Sequence, residues 1–389
     1  MTEQTIELSA EERLDEDWLV VQSVLPPGWE SKARELGAFR RGRAIPDAGT
    51  LLRVMLIHLA QGCGLRETAV RAKQGGLASL SDVAILKRLR TCGEWFTWIA
   101  EGLRAKWLPE FPDAAPLWED RRIRLVDGTV VSEPGDTGSQ WRLHYAVGLP
   151  ALNCDEVIVT ASNDGETLKR FTVKKGDILI GDRGYAHRAG IAHVIAHGGD
   201  VIIRTNLVTL PLRDVTGVRK DPLVALRTLH VGECGDWPVF VQGDKKQLIA
   251  GRLCAIRKSE VAAQQGRRRA QRESQRSGSQ IRPETLEAAG YVFVFTTLPD
   301  AVPAPAVMEL YRGRWQIELA FKRLKSLVQL GHLKKTDERA SRAWLQGKLL
   351  VAFILDALLE TTERISPWGY RPPNEETRPM PLARDLIHA

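Results

Sequence analysis

Between residues 10 and 110 apolar positions recur every three or four residues, the spacing that lines one face of a helix. Glu11 to Leu25 is amphipathic and stops at Pro26-Pro27-Gly28. Further helices are predicted at Thr50–Gln61 and at Leu65–Gln74, the second ending on Gly75-Gly76. Ser81 can cap another, with Asp82 in its first turn and Lys87, Arg88 and Arg90 near its end. Helix, glycine turn and helix within about 25 residues outline a helix-turn-helix, and equally an ordinary helical hairpin. From residue 122 the period shortens. Ile123–Val131, Arg142–Leu149 and Val157–Ala161 read as strands, as do Ile178–Ile180, Val201–Arg204 and Tyr291–Thr297. His187–His197 reads as a helix between two of them. Residues 206–256 have a β-like pattern, and 258–280, rich in Arg and Gln, is a polar helix or a mobile loop. A long helix from about Pro303 to Leu330 and another from about Glu338 to Arg364 follow, and a proline-rich tail closes the chain.

This order predicts an α/β fold between helical ends. The changes of pattern divide the chain into a helical region at 1–115, α/β segments at 116–205 and 291–335, a β-rich segment at 206–290, and a helical region with its tail at 336–389. An apolar share of 43% supports a large core and excludes a disordered or fibrous chain. Five scattered cysteines without a CxxC pair argue against zinc or redox chemistry and fit a reducing compartment. The acidic start predicts no signal peptide, and Asp356 interrupts the longest apolar run, which is too short for a membrane span. Charge is uneven. Residues 252–282 hold nine Lys/Arg against two acids, and 301–350 hold ten against four, within a chain of net +7. Clustered cations are the footprint of a polyanion partner, or a solvated arginine-rich face.

Two aspartates sit at or near the end of an apolar β run and next to a glycine: Asp127 in Leu-Val-Asp-Gly-Thr and Asp182 in Ile-Gly-Asp-Arg-Gly-Tyr. Neighbouring strand ends are where reactive groups gather in α/β sheets, and two carboxylates there can hold a hard divalent cation. A lone Asp-Gly is more often a turn, but a buried strand feeds directly into Asp182. On the predicted 303–330 helix, with Tyr311 as zero, Arg314 falls at roughly −60°, Glu318 at roughly −20° and Lys325 at roughly −40°. Apolar residues fill the opposite side. Such a stripe is either a solvated face with i,i+4 pairing or a carboxylate flanked by phosphate-binding groups.

Tyr311, Arg314, Glu318 and Lys325 have the spacing Y-(2)-R-(3)-E-(6)-K. In this, and in the settings of Asp127 and Asp182, the chain resembles the insertion-sequence-4 family of bacterial DDE transposases, over roughly residues 45 to 360. The resemblance implies an RNase H-like catalytic core with a β-rich insertion, an all-α N-terminal DNA-binding region and C-terminal helices. It implies that Asp127, Asp182 and Glu318 are catalytic and hold two magnesium or manganese ions. Tyr311, Arg314 and Lys325 would bind DNA phosphates and Trp315, common in related transposases, would also contact DNA, with Lys87, Arg88 and Arg90 giving end recognition and Arg267, Arg268 and Arg269 backbone affinity. The implied activity is cut-and-paste transposition: binding terminal inverted repeats, cleaving the ends and joining the 3′-hydroxyl strand to target DNA. The partners would be double-stranded DNA and a second copy of the chain in the end complex, in the bacterial cytoplasm at the nucleoid, with no membrane. Some relatives stack a flipped base on a tryptophan of the insertion. The strand where that tryptophan is expected reads Tyr291-Val292-Phe293-Val294-Phe295 and has none; Tyr291 or Phe293 could substitute, since any aromatic face can stack a base, and Trp237 lies in the insertion. The rival readings are a catalytically silent transposase acting as a DNA-binding regulator, and a nuclease that never joins strands.

Overall fold

The computed structural model describes residues 10–105, 121–132, 139–149, 152–243, 247–331, 333 and 337–364. The expected proline-rich tail lies outside them. The described residues form two compact units. One draws on 1–108, 130–142 and 321–382, the other on 109–129 and 143–320.

The first unit contains α1 (Ala10–Val24), α2 (Trp29–Glu35), α3 (Ala48–Ala60), α4 (Leu65–Gln74), α5 (Asp82–Ala105) and α12 (Glu338–Arg364). α5 and α12 pack along each other, and α3 packs on α12. Leu51, Leu52, Met55, Ile85, Leu89, Phe96 and Leu345 are buried, as apolar faces of these helices must be in water. Trp95 stacks on Trp29 at 6.1 Å, and its Nε1 donates to the Trp29 carbonyl at 2.7 Å. The pattern of apolar positions does not announce α2, which is only seven residues long and starts after Gly28 at φ 80°.

The strands are β1 (Ile123–Ser132), β2 (Ser139–Leu149), β3 (Asn153–Ala161), β4 (Ile178–Gly181), β5 (Asp200–Arg204), β6 (Leu212–Arg213), β7 (Cys234–Gln242), β8 (Leu248–Arg257) and β9 (Tyr291–Thr296). They make one nine-stranded sheet in the order β3-β2-β1-β4-β5-β9-β8-β7-β6. β1, β4 and β5 run parallel, and the pairs from β5 through β9, β8 and β7 to β6 are antiparallel. The strands of the 206–290 segment therefore extend the central sheet. All four residues of β4 are buried, as a parallel strand covered on both faces requires. One face packs Val126, Leu179 and Ile203 against Leu168, Phe171, Tyr185, Ile191 and Val194, the last two from α6 (Arg188–Ala196). α10 (Ala304–Arg312) packs on β4, β5, β7 and β8.

The remaining helices are α7 (Pro222–Leu226), α8 (Glu260–Ser277), α9 (Pro283–Ala288) and α11 (Gln316–Ser326). Residues 258–280, left between helix and loop by their composition, are thus largely the helix α8. Ser259 caps it and Gly278 ends it at φ 64°, a left-handed conformation suited to glycine. The single helix expected from 303 to 330 is instead α10, a 3-10 turn at Gly313–Trp315, and α11. The turn winds three residues per revolution instead of 3.6, so the arc computed for one uninterrupted α-helix does not hold across it.

At the amino ends of the parallel strands the acids are already paired. Arg122 reaches Asp177 at 2.6 Å, and the fully buried Arg124 holds Asp155 and Glu156, the latter at 2.7 Å. Breaking such a buried network typically costs about 3–5 kcal/mol. These carboxylates are consumed by structure. Among the described residues no helix is long and apolar enough to cross a membrane.

Candidate active site

The parallel register sets the site. Val126 pairs with Gly181 and Gly181 with Ile203, so the next position along each strand aligns Asp127, Asp182 and Arg204. Adjacent strands lie about 4.8 Å apart, and aligned residues share a face. Two carboxylates and a guanidinium thus stand in a row where the β1–β4–β5 ladder ends, Asp127 within β1, Asp182 just past β4 and Arg204 at the end of β5.

Asp127 is held by its own strand: its Oδ1 accepts from the Gly128 N–H at 2.7 Å. Asp182 opens a 3-10 turn, Arg183–Tyr185, and its Oδ1 accepts from the Gly184 N–H at 2.7 Å. Burial pushes the Asp127 carboxyl up to about 6. Asp182 and Glu166 push the same way, while the Gly128 N–H and Arg314 oppose them. The site therefore crowds negative charge where water is scarce, and a nearby cation relieves it.

Arg314 supplies that cation. Its Nη1 lies 3.4 Å from Asp127 Oδ2, and its Nη2 donates to Glu318 Oε1 at 2.9 Å. The Glu318 side chain remains 62% exposed, against 17% for Arg314. One guanidinium thus spans two of the three predicted acids, standing where a positive ion between them would be. Among the described residues no three His, Cys, Asp or Glu side chains are gathered so as to hold a metal ion. The donor set nevertheless fits a hard divalent ion: carboxylate oxygens only, with Asp127 half-buried.

A further acid, Glu166, escapes a reading of the sequence. Its carboxylate lies against Gly128 and Gly184, the glycines that follow the two aspartates. A β-carbon on Gly128 would come within 2.9 Å of Glu166 Oε1, and one on Gly184 would overlap Oε2 while lying 3.0 Å from Asp182 Oδ1. The two glycines make the slot that brings Glu166 beside Asp182. Glu166 sits outside any strand and its neighbours show no period; the only signal is a glycine placed close behind each aspartate. Arg204, at the end of β5, was equally missed.

The other predicted residues are scattered in role. Tyr311 is buried at 7% exposure, so it does not lie on a solvated stripe; the 3-10 turn separates its helix from that of Glu318. Trp315 is 48% exposed. Lys325 is exposed on α11, in the residues of the helical unit. On α5, Lys87 and Arg90 are exposed and Arg88 is half-buried, and Arg90 pairs with Asp337 at 2.9 Å. On α8, Arg267 pairs with Glu260 at 2.8 Å, while Arg268 and Arg269 are exposed. Tyr291 and Phe293 are in the core, because odd positions of β9 face the packed side of the sheet. They are closed to a stacking base, and Trp237 is partly buried against the same core.

Comparison with known proteins shows the family. The Transposase DDE domain family matches residues 118–354, which include Asp127, Asp182 and Glu318. The putative transposase InsL of insertion sequence element IS186A from Escherichia coli K12 is 37% identical over 348 residues, 88% of this chain and 93% of that protein. The transposase of insertion sequence element IS421 from Escherichia coli is also 37% identical, over 349 residues and the same shares. The transposase of IS231F from Bacillus thuringiensis subsp. israelensis is 26% identical across 61% of this chain and 57% of its own length. The alignment spans most of both chains at an identity that fixes kinship, and the chain belongs to the family of DDE-domain transposases.

Proposed function

We propose that this chain is a cut-and-paste transposase that binds the terminal inverted repeats of its element, cleaves at the ends and joins the freed 3′-hydroxyl strand to target DNA. The observation that carries the reading is the parallel register that stands Asp127 beside Asp182 where the β1–β4 ladder ends. The strand order β3-β2-β1-β4-β5, with β1, β4 and β5 parallel, supports an RNase H-like core. Asp127, Asp182 and Glu318 are the residues to hold two magnesium or manganese ions, which when bound supply an activated water or 3′-hydroxyl and stabilise the leaving oxygen.

The protein's own groups do the positioning. Arg314 faces two carboxylates, and its planar fork can exchange one of them for a phosphate oxygen of the incoming strand. Its withdrawal from Asp127 leaves that carboxylate uncompensated, which raises its demand for a cation. Tyr311 lies near enough to Arg314 to act on its charge, while Trp315 and Lys325 offer an aromatic face and a point charge to the DNA. Lys87, Arg88 and Arg90 serve end recognition, and Arg267, Arg268 and Arg269 hold backbone. Cleavage at two ends requires two copies of the chain in the end complex.

The test is a pair of assays on one end fragment, a gel shift and a nicking reaction with magnesium. Asp127→Ala, Asp182→Ala and Glu318→Ala are each expected to abolish nicking and leave the shift nearly intact. A variant that still nicks at the wild-type rate removes its residue from the site.

A further inference from the structure

At the carboxyl end of the sheet stands a second set of charged side chains, all of one sign. Arg204 is next to Asp182 in register, and Arg183 follows Asp182 in the chain. Arg204 pairs with Val294 of β9, and the Lys258 N–H donates to the Gly290 carbonyl at 2.9 Å. Val294 and Gly290 are four residues apart, so Arg204 and Lys258 share a face. β9 runs antiparallel to β5, which puts Gly290 beyond the end of β5, on the side where Asp127 and Asp182 stand. Lys258 Nζ donates to the Ala289 carbonyl at 2.8 Å and would lie 3.2 Å from a β-carbon on Gly266, so it rests against α8. Arg269 is one turn further along that helix.

The arginines of this cluster differ from others in the fold. Arg122, Arg124, Arg227 and Arg252 all hold carboxylates. Arg183, Arg204 and Arg269 have no hydrogen bond or ion pair from their side chains among the described residues. Burial pushes the Lys258 ammonium down to about 8, and Arg204, Arg269 and Arg183 push it further in the same direction. No acid appears among the influences on it. A solvated basic face spreads its charges or pairs them. Here a half-buried ammonium shares a face with Arg204 and rests against the helix that carries Arg269, an arrangement that an anion would relieve.

We infer that Arg183, Arg204, Lys258 and Arg269 form a binding site for consecutive phosphates of a DNA strand, on the β5 side of the catalytic aspartates and opposite the Arg314 side. The inference rests on the transposase reading above. From Arg204 to Lys258 the backbone runs two inter-strand steps across and four residues along, roughly 16 Å, which spans more than one phosphate of a backbone. The contacts fall on phosphodiester oxygens, so they position the strand and read no sequence.

The experiment is fluorescence anisotropy of an end-bearing duplex and of a random duplex over a salt series. The proteins are wild type, Arg183→Ala, Arg204→Ala, Arg204→Lys and an Arg183→Ala/Arg269→Ala double variant, with thermal midpoints as the control for folding. Each lost contact is expected to lower the slope of log affinity against log salt by about one unit, and the double variant by about two. The loss should be equal on both duplexes, and Arg204→Lys should restore the slope. Wild-type slopes in both Arg204→Ala and the double variant overturn the site while leaving the transposase reading in place. Wild-type protein that binds neither duplex with a salt dependence overturns both.

Discussion

Asp127 is expected to destabilise the metal-free protein, so Asp127→Asn should make the chain more stable and catalytically dead. The carboxyl moves from 3.8 to about 6 on folding, chiefly by burial. A shift of one unit is worth about 1.4 kcal/mol, so the full shift sets a ceiling of about 3 kcal/mol. The folded state binds this proton more tightly than the unfolded chain. The stability linked to it is fully present below 3.8 and is lost as the pH rises through about 6. At pH 7.5 in EDTA the wild-type protein carries that cost and the Asn variant does not. Asn keeps an oxygen for the Gly128 N–H and gives up the 3.4 Å contact with Arg314. The expected net gain is about 1–2 kcal/mol, a rise of several degrees in thermal midpoint. At pH 4 most of the gain should disappear, because wild-type Asp127 is then largely protonated. Manganese should raise the midpoint of wild type and not of the variant. A lower midpoint for Asp127→Asn at pH 7.5, or a gain that is the same at pH 4, would refute the reasoning.

Arg314→Ala should free Asp127 and Glu318 from the shared guanidinium. Calorimetric titration of manganese into DNA-free protein is expected to show tighter binding than wild type, while end cleavage falls at least tenfold; unchanged manganese affinity would mean that the arginine does not compete for the carboxylates. Gly184→Ala should force Glu166 away from Asp182, since the new methyl overlaps Glu166 Oε2. The expected result is a large loss of nicking with near wild-type DNA binding, and full nicking activity would show that the slot is incidental.

Much of the sheet was legible because its strands are written locally. Ile178-Leu179-Ile180 and Val201–Arg204 are short apolar runs, and their ends pointed to Asp182 as a strand-end acid. That Asp127 stands opposite Asp182 depends on the register between β1 and β4, which no local pattern encodes. Glu166 was invisible for the same reason: its neighbourhood is made by two glycines far from it in sequence. The 3-10 turn at Gly313–Trp315 was missed because glycine is tolerated inside a helix and leaves the apolar period intact on either side. Tyr291 and Phe293 looked available to a base because their strand reads as aromatic. Only the packed side of the sheet decides that they are core. The β-rich pattern of 206–256 was correct as a composition of strands, yet it could not show that those strands continue the central sheet.

The account turns on Asp182 holding a metal ion at the reacting phosphate, and exchanging its oxygen ligand for a thiolate tests that most directly. The measurement is nicking of an end fragment by Asp182→Cys in magnesium and in manganese. Thiolate is a poor ligand for magnesium and a better one for manganese. The account predicts loss of nicking in magnesium, recovery in manganese and an unchanged gel shift in both. Nicking at the wild-type rate in magnesium, or a variant that binds the end but stays inactive in manganese, would contradict it.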